Sequence, residues 1–274
     1  MTNLIQRALT GTVLVIVTIT SIIWSQYSFI FLILAINLLG LLEFYRLFQV
    51  YTLSPRNLSG TILSLSILVT FSLVITNIND WRILLINIIP AFCIFILELY
   101  LKATNPFANL AFTFLGIISI TVPLCFFISI AFLPHGSVNY HPHLILGYFF
   151  ILWASDTGAY FVGKYFGKHH LFERISPKKT WEGSLGGTAC AVLFAYITSG
   201  FFSIINIEAW MSMALIIIVI GTFGDLIKSL MKRSLRLKDS GTILPGHGGI
   251  LDRYDTLLST APFVFSYLIL FRNG

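Results

Sequence analysis

The chain has 274 residues, of which 57% are hydrophobic and only 10% charged, whereas an ordinary soluble domain carries about 25% charged residues. A mean hydropathy of +0.88 and 25 phenylalanines exclude a water-soluble globular fold. The formal charge of +6 calls for no nucleic-acid partner, because membrane topology accounts for it.

A helical crossing takes about 20 mainly apolar residues. Nine such runs follow one another, at 8–24, 28–49, 58–76, 82–101, 109–133, 143–166, 183–203, 209–232 and 255–271. The alternating ten-residue patterns of a membrane β-barrel are missing, and backbone in lipid must satisfy its own hydrogen bonds. The expected fold class is therefore all-α: a polytopic membrane protein of about nine transmembrane helices, with residues 1–274 forming a single integral-membrane domain. Only SQYS (25–28) separates the first two runs.

With nine crossings, the N-terminus and the loops after runs 2, 4, 6 and 8 share one side. That side holds all of the 17 Lys and Arg except Arg82 and Arg272. The positive-inside rule puts it in the cytoplasm. The expected location is the cell (inner) membrane, multi-pass, with the N-terminus and the polar loops cytoplasmic. The first run has no A-x-A-like cleavage site and reads as a retained span.

Runs 1 to 5 are nearly featureless, so residues 1–150 read as scaffold and 151–274 as the working part. Glu43 and Arg46 (i,i+3), and Glu98 and Lys102 (i,i+4), read as interfacial ion pairs. Cys93, Cys125 and Cys190 lie singly in different runs, as packing residues do. His135, His141 and His143 crowd the loop 134–143; without Cys or carboxylates nearby they read as polar loop rather than metal ligands.

Asp156, in WASDTGAY, sits well inside the sixth run. It could hold a cation through water, bind a nucleotide or pair with Lys164. GAYFVGKY (158–165) matches G-x4-G-K but ends in Tyr and lies in a hydrophobic run, so it is no P-loop. In ISPKKTWEG, Ser176 is expected to cap a short helix with Pro177 at its first position. Lys178 and Lys179 would then stand at the positive end of the helix dipole, a placement that a docked anion would favour.

Asp225, in the eighth run, shares a helix face with Ser229 and Lys232 (i, i+4, i+7), with Lys228 adjacent. Gly221 and Gly224 permit a kink or a close backbone approach there. An Asp–Lys pair neutralised inside the bundle is the simpler account. The stretch KRSLRLKDSGTILPGHGGILDRYD (232–255) argues for more. Asp252 and Asp255 stand at i,i+3, and with Asp225 they supply the oxygen donors that Mg²⁺ takes. Lys228, Lys232, Arg233, Arg236 and Lys238 suit polyphosphate charge. The turn PGHGG offers free N–H groups and the His247 donor, as an anion-binding nest would. Acids for a metal and bases for phosphate at a membrane surface point to phosphoryl or nucleotidyl transfer.

The run SLMKRSLRLKDSGTILPGHGGILDRYD (229–255) resembles the signature of the phosphatidate cytidylyltransferases, or CDP-diacylglycerol synthases. That signature reads roughly S-x-x-K-R-x4-K-D-x-G-x2-L-P-G-H-G-G-x-x-D-R-x-D, and Ser229 through Asp255 meet every fixed position. DTGAYFVGKYFGK and SPKKTWEG resemble that family's second marked region, and length and span count also fit. The resemblance implies an Mg²⁺-dependent nucleotidyltransferase taking CTP and phosphatidate, a membrane lipid, to CDP-diacylglycerol and pyrophosphate. It implies Asp225, Asp252 and Asp255 as metal ligands, a second cation being compatible with the acids, and Asp225, Asp252, Lys232 and Arg233 as catalytic residues. Ser229, Lys238, His247, Arg253, Lys178, Lys179 and Asp156 would bind substrate, and a homodimer is compatible. A CTP-dependent lipid kinase and a transporter are the alternatives.

Overall fold

The structure is a computed structural model that describes residues 3–49, 53–133, 139–237, 239–241, 243, 246 and 248–271. It is helical almost throughout, and among the described residues eight helical segments are long and apolar enough to cross a membrane. The first expected run, 8–24, coincides with the apolar helix Ala8–Trp24, which falls below that length. Large apolar side chains cover much of the outside, among them Trp24, Leu99 and Phe107, as expected of a surface facing lipid rather than water. The protein is a multi-pass membrane protein.

By internal contacts the chain forms two compact units, one of residues 1–140 and 239–254, the other of 141–238 and 255–274. In the first, α1 (Asn3–Trp24) and α2 (Gln26–Gln49) are joined by Ser25 alone. Ser28 N donates to Ser25 Oγ at 3.1 Å and Ser25 N to Ser28 Oγ at 3.0 Å. This reciprocal capping, with serine in the role usual for Glu or Gln, is what the SQYS break encodes. Then come α3 (Asn57–Ile75), a 3₁₀ segment (Trp81–Asn87) leading into α4 (Ile88–Tyr100), and α5 (Pro106–Gly116), which passes through a π-helical turn (Ile117–Thr121) into α6 (Val122–Ile130). Pro123 explains the turn: its ring would crowd the carbonyl of Ser119, and widening the helix there relieves the clash. Asn37, Ser64 and Thr121 close a buried hydrogen-bonded triangle, 2.7–3.0 Å on each side, between α2, α3 and the turn.

The two ion pairs expected in this unit are not the ones formed. Glu98 pairs with Arg56 through two guanidinium nitrogens, Nε and Nη2, and also accepts from Asn109 Nδ2 at 3.1 Å. Buried at the end of α4, it draws its partners from the start of α3 and of α5, which the spacing to Lys102 could not reveal. Glu43, with 1% of its surface exposed, turns to backbone N–H groups of residues 250 and 251 rather than to Arg46.

The second unit holds α7 (Pro142–Phe166), a hairpin of β1 (His170–Phe172) and β2 (Ser176–Thr180), α8 (Trp181–Phe201), α9 (Ile207–Ser234) and most of α10 (Leu251–Phe271). Helices α7 and α8 meet on small residues. A Cβ on Gly158 would lie 2.6 Å from Cys190 Sγ, and one on Gly187 2.8 Å from the Ser155 carbonyl. Small residues at such a seam let helices pack closely where lipid offers no hydrophobic drive. His143 stacks on Phe202 at 4.8 Å.

Candidate active site

The hairpin changes one expectation. Ser176 does not cap a helix: Ser176–Thr180 is strand β2, antiparallel to β1, with Thr180 opposite His170. The cap of α8 is Thr180, whose Oγ1 accepts from Gly183 N at 3.1 Å. Thr180 supplies a better-placed hydroxyl with extended backbone, so the helix begins four residues later than the Ser-Pro pair suggested. The first turn of α8 carries its own acid: Glu182 accepts from the backbone N–H of Lys168 (3.1 Å) and His169 (3.2 Å) and meets His169 Nδ1 at 2.6 Å. The lysines are therefore presented by a strand, with Lys178 exposed and Lys179 turned inward.

Lys179 Nζ forms an ion pair with Asp225 Oδ2, the two side chains 32% and 26% exposed. Asp225 lies on α9, where the unbroken helix also carries Lys228, Ser229, Lys232 and Arg233. The glycines before it serve close approach. A Cβ on Gly221 would stand 2.7 Å from Thr256 Cγ2, and one on Gly224 would collide with Ser259. The result is that the Asp225 and Asp255 carboxyl groups lie within hydrogen-bonding reach of one another. Asp255 Oδ1 also accepts from Thr256 N at 2.7 Å. The charge of Lys232 acts on Asp225, and that of the buried Lys228 ammonium on Asp255.

Two carboxylates in contact repel unless a proton or a cation lies between them. A pair of oxygen donors ringed by lysines is a donor set that suits a hard divalent cation holding phosphate oxygens, because such an ion takes only one or two carboxylates from the protein. Among the described residues no three His, Cys, Asp or Glu side chains gather as a closed metal cage.

Asp252 belongs to the first unit. Its Oδ2 accepts from Ser240 N at 2.8 Å and from Gly249 N at 3.4 Å, so it ties together the two ends of the loop that precedes α10. Gly246 and Gly248 adopt φ of 76° and 81°, the left-handed conformation that glycine takes without strain. Of the other expected site residues, Arg233, Arg253, Lys178 and Asp156 are exposed and Ser229 is half-buried. Lys164 lies over the rings of Tyr160 and Tyr165, at 5.8 and 5.6 Å. Lys238, His247 and His135 fall outside the described residues. Spacing alone did not disclose what Glu43 meets.

The fold is that of a helical, multi-pass membrane protein, and this cluster sets two acids among lysines. Comparison with known proteins makes the class specific. The cytidylyltransferase family matches residues 5–271, and the chain belongs to that family. Phosphatidate cytidylyltransferase of Bacillus subtilis (strain 168) is 34% identical over 272 residues, covering 99% of this chain and 100% of that protein. The protein of the same name from Haemophilus influenzae (strain ATCC 51907 / DSM 11121 / KW20 / Rd) is 39% identical over 174 residues, 61% of this chain and 59% of its own. That from Staphylococcus haemolyticus (strain JCSC1435) is 44% identical over 129 residues, 46% and 49% of the two chains.

Proposed function

We propose that this chain transfers CMP from CTP to phosphatidate, yielding CDP-diacylglycerol and pyrophosphate. The observation that carries the reading is the contact between Asp225 and Asp255 among Lys179, Lys228 and Lys232, in a chain similar from end to end to a phosphatidate cytidylyltransferase.

In the transfer, a phosphate oxygen of phosphatidate forms a bond to the α-phosphorus of CTP, and the bond from that phosphorus to the bridging oxygen breaks. The nucleophile is already an oxyanion near neutral pH, so the enzyme's task is to bring two anions together and stabilise the leaving pyrophosphate. A bound Mg²⁺ would supply positive charge shared between the phosphates. Asp225 and Asp255 would hold that ion, and a second cation is compatible with the same acids. Lys179 fixes the orientation of the Asp225 carboxylate. Lys228 and Lys232 add positive charge beside the acid pair, and Arg233, Lys178, Lys238 and Arg253 are the further candidates to meet triphosphate or lipid phosphate. Asp252 enters chiefly as the residue that shapes the signature loop, since its Oδ2 is taken up by two backbone N–H groups.

The asymmetry of Lys and Arg supports the inner membrane with these groups on the cytoplasmic face. A homodimer is compatible with the family resemblance.

The test uses purified protein in detergent with phosphatidate, Mg²⁺ and CTP labelled on the α- or γ-phosphate, and diacylglycerol as a parallel acceptor. Label from the α-phosphate should enter lipid and vanish with EDTA. Label from the γ-phosphate in lipid would make the protein a CTP-dependent lipid kinase, and no label from either in folded protein would overturn both.

A further inference from the structure

An acid inside a membrane helix is costly unless its oxygens are satisfied. Glu43, near the C-terminal end of α2, is 1% exposed. Its Oε1 accepts from Ile250 N and its Oε2 from Leu251 N, both at 3.0 Å, and Ser240 Oγ donates to Oε2 at 3.4 Å.

The start of α10 needs such a partner. The first N–H groups of a helix have no acceptor within it, and the residue before Leu251 is Ile250, which cannot cap. Glu43 takes the place of a cap from a distant part of the chain, and a carboxylate there also complements the helix dipole. Two signature glycines leave room for it. A Cβ on Gly241 would lie 2.5 Å from Glu43 Oε1, and one on Gly249 2.5 Å from Oε2. With Asp252 gripping Ser240 N and Gly249 N, two acids close the loop on itself: one from α2, the other from α10.

We propose that Glu43 is a positioning residue for the reaction, holding the glycine-rich signature loop and the start of α10 in the shape that binds CTP. This rests on the cytidylyl-transfer reading. Glu43 reaches substrate only through the loop, whose flanking Lys238 and Arg253 are the candidates to contact the nucleotide. Glutamine at 43 keeps size and shape but has one acceptor oxygen in place of two, so one buried N–H loses its partner.

The experiment compares wild type with Glu43→Gln, measuring α-label transfer against CTP concentration, thermal melting, and amide exchange over residues 240–251. The expected result is a rise of about tenfold in KM for CTP with faster exchange in that segment and an unchanged melting temperature. A merely structural loss lowers the amount of active enzyme and leaves KM alone. Unchanged KM and exchange would overturn the proposal. Should Glu43→Gln not fold, Gly241→Ala crowds the same carboxylate and must give the same shifts; KM at the wild-type value there also overturns it. If wild type transfers no α-label, the function reading fails by itself, and the exchange arm still decides whether Glu43 holds the loop.

Discussion

Lys179, presented by strand β2, forms an ion pair with Asp225 of α9, while Lys178, its neighbour in sequence, points outward. A strand sends successive side chains to opposite faces, so the two lysines of one KK pair have different duties. Lys179→Ala is expected to lower kcat by about tenfold or more, on the scale of losing a residue that orients a metal ligand. Lys179→Arg should restore part of it and Lys178→Ala should cost less. Steady-state rates of the three variants check the order.

Asp225→Asn and Asp255→Asn each remove one carboxylate from the contact pair. Turnover should fall by about 10² to 10³-fold, as when a main source of charge stabilisation is lost. Both variants should insert and melt normally, since one carboxylate meeting an amide relieves repulsion rather than creating it. Titration of activity with Mg²⁺ should show a raised half-saturating concentration in whichever variant retains measurable turnover.

Asp252 separates two roles in one residue. Asparagine keeps an oxygen able to accept from Ser240 N and Gly249 N, whereas alanine abandons both N–H groups. If Asp252 chiefly shapes the loop, Asp252→Asn retains at least about a tenth of wild-type kcat, the scale of a residue that acts by orientation, and Asp252→Ala does not. Equal, near-complete loss in both would assign its charge directly to the reaction.

Gly224 is where α9 rests on Ser259. Gly224→Ala should push Asp225 away from Asp255 and reduce activity by about 10²-fold, the cost of displacing reacting groups by about 1 Å. Gly200→Ala, where an added Cβ meets nothing within 4 Å, is the matched control and should leave activity unchanged.

Arg56→Ala would strand the buried Glu98 carboxylate. A loss of about 3 kcal/mol in stability is expected, the usual cost of orphaning one member of a buried pair. Lys102→Ala should have little effect. Thermal melting in detergent distinguishes the two and tests which cation Glu98 depends on.

Hydropathy alone made the helices legible, because a bilayer demands long apolar runs. Helical spacing placed Asp225, Ser229 and Lys232 on one helix face, and of the kink or close approach that Gly221 and Gly224 permit, the structure uses the close approach. Distant partners were not legible. Glu98 meets Arg56, 42 residues away, and Glu43 meets the amides of 250 and 251, more than 200 residues away. In both cases a nearer basic residue offered a pairing that local spacing favoured and packing did not use. The start of α8 was missed because Ser176-Pro177 and Thr180 both look like helix starts, and only the pairing of β2 with β1 tells them apart.

The single residue between α1 and α2 has a consequence for how the protein is made. Thr18 on one side of Ser25 meets Tyr254, and Gly40 on the other faces Leu251, so the two helices fold back along the same stretch of chain. Only Ser25 separates them, with no hydrophilic loop between. They would pass from the ribosome into the bilayer as a hairpin, a unit with no net change of side. An insertion at Ser25 that gave α1 a separate fate would reverse the direction of every later crossing. Ser25 and Ser28 thus hold the turn that every later crossing follows.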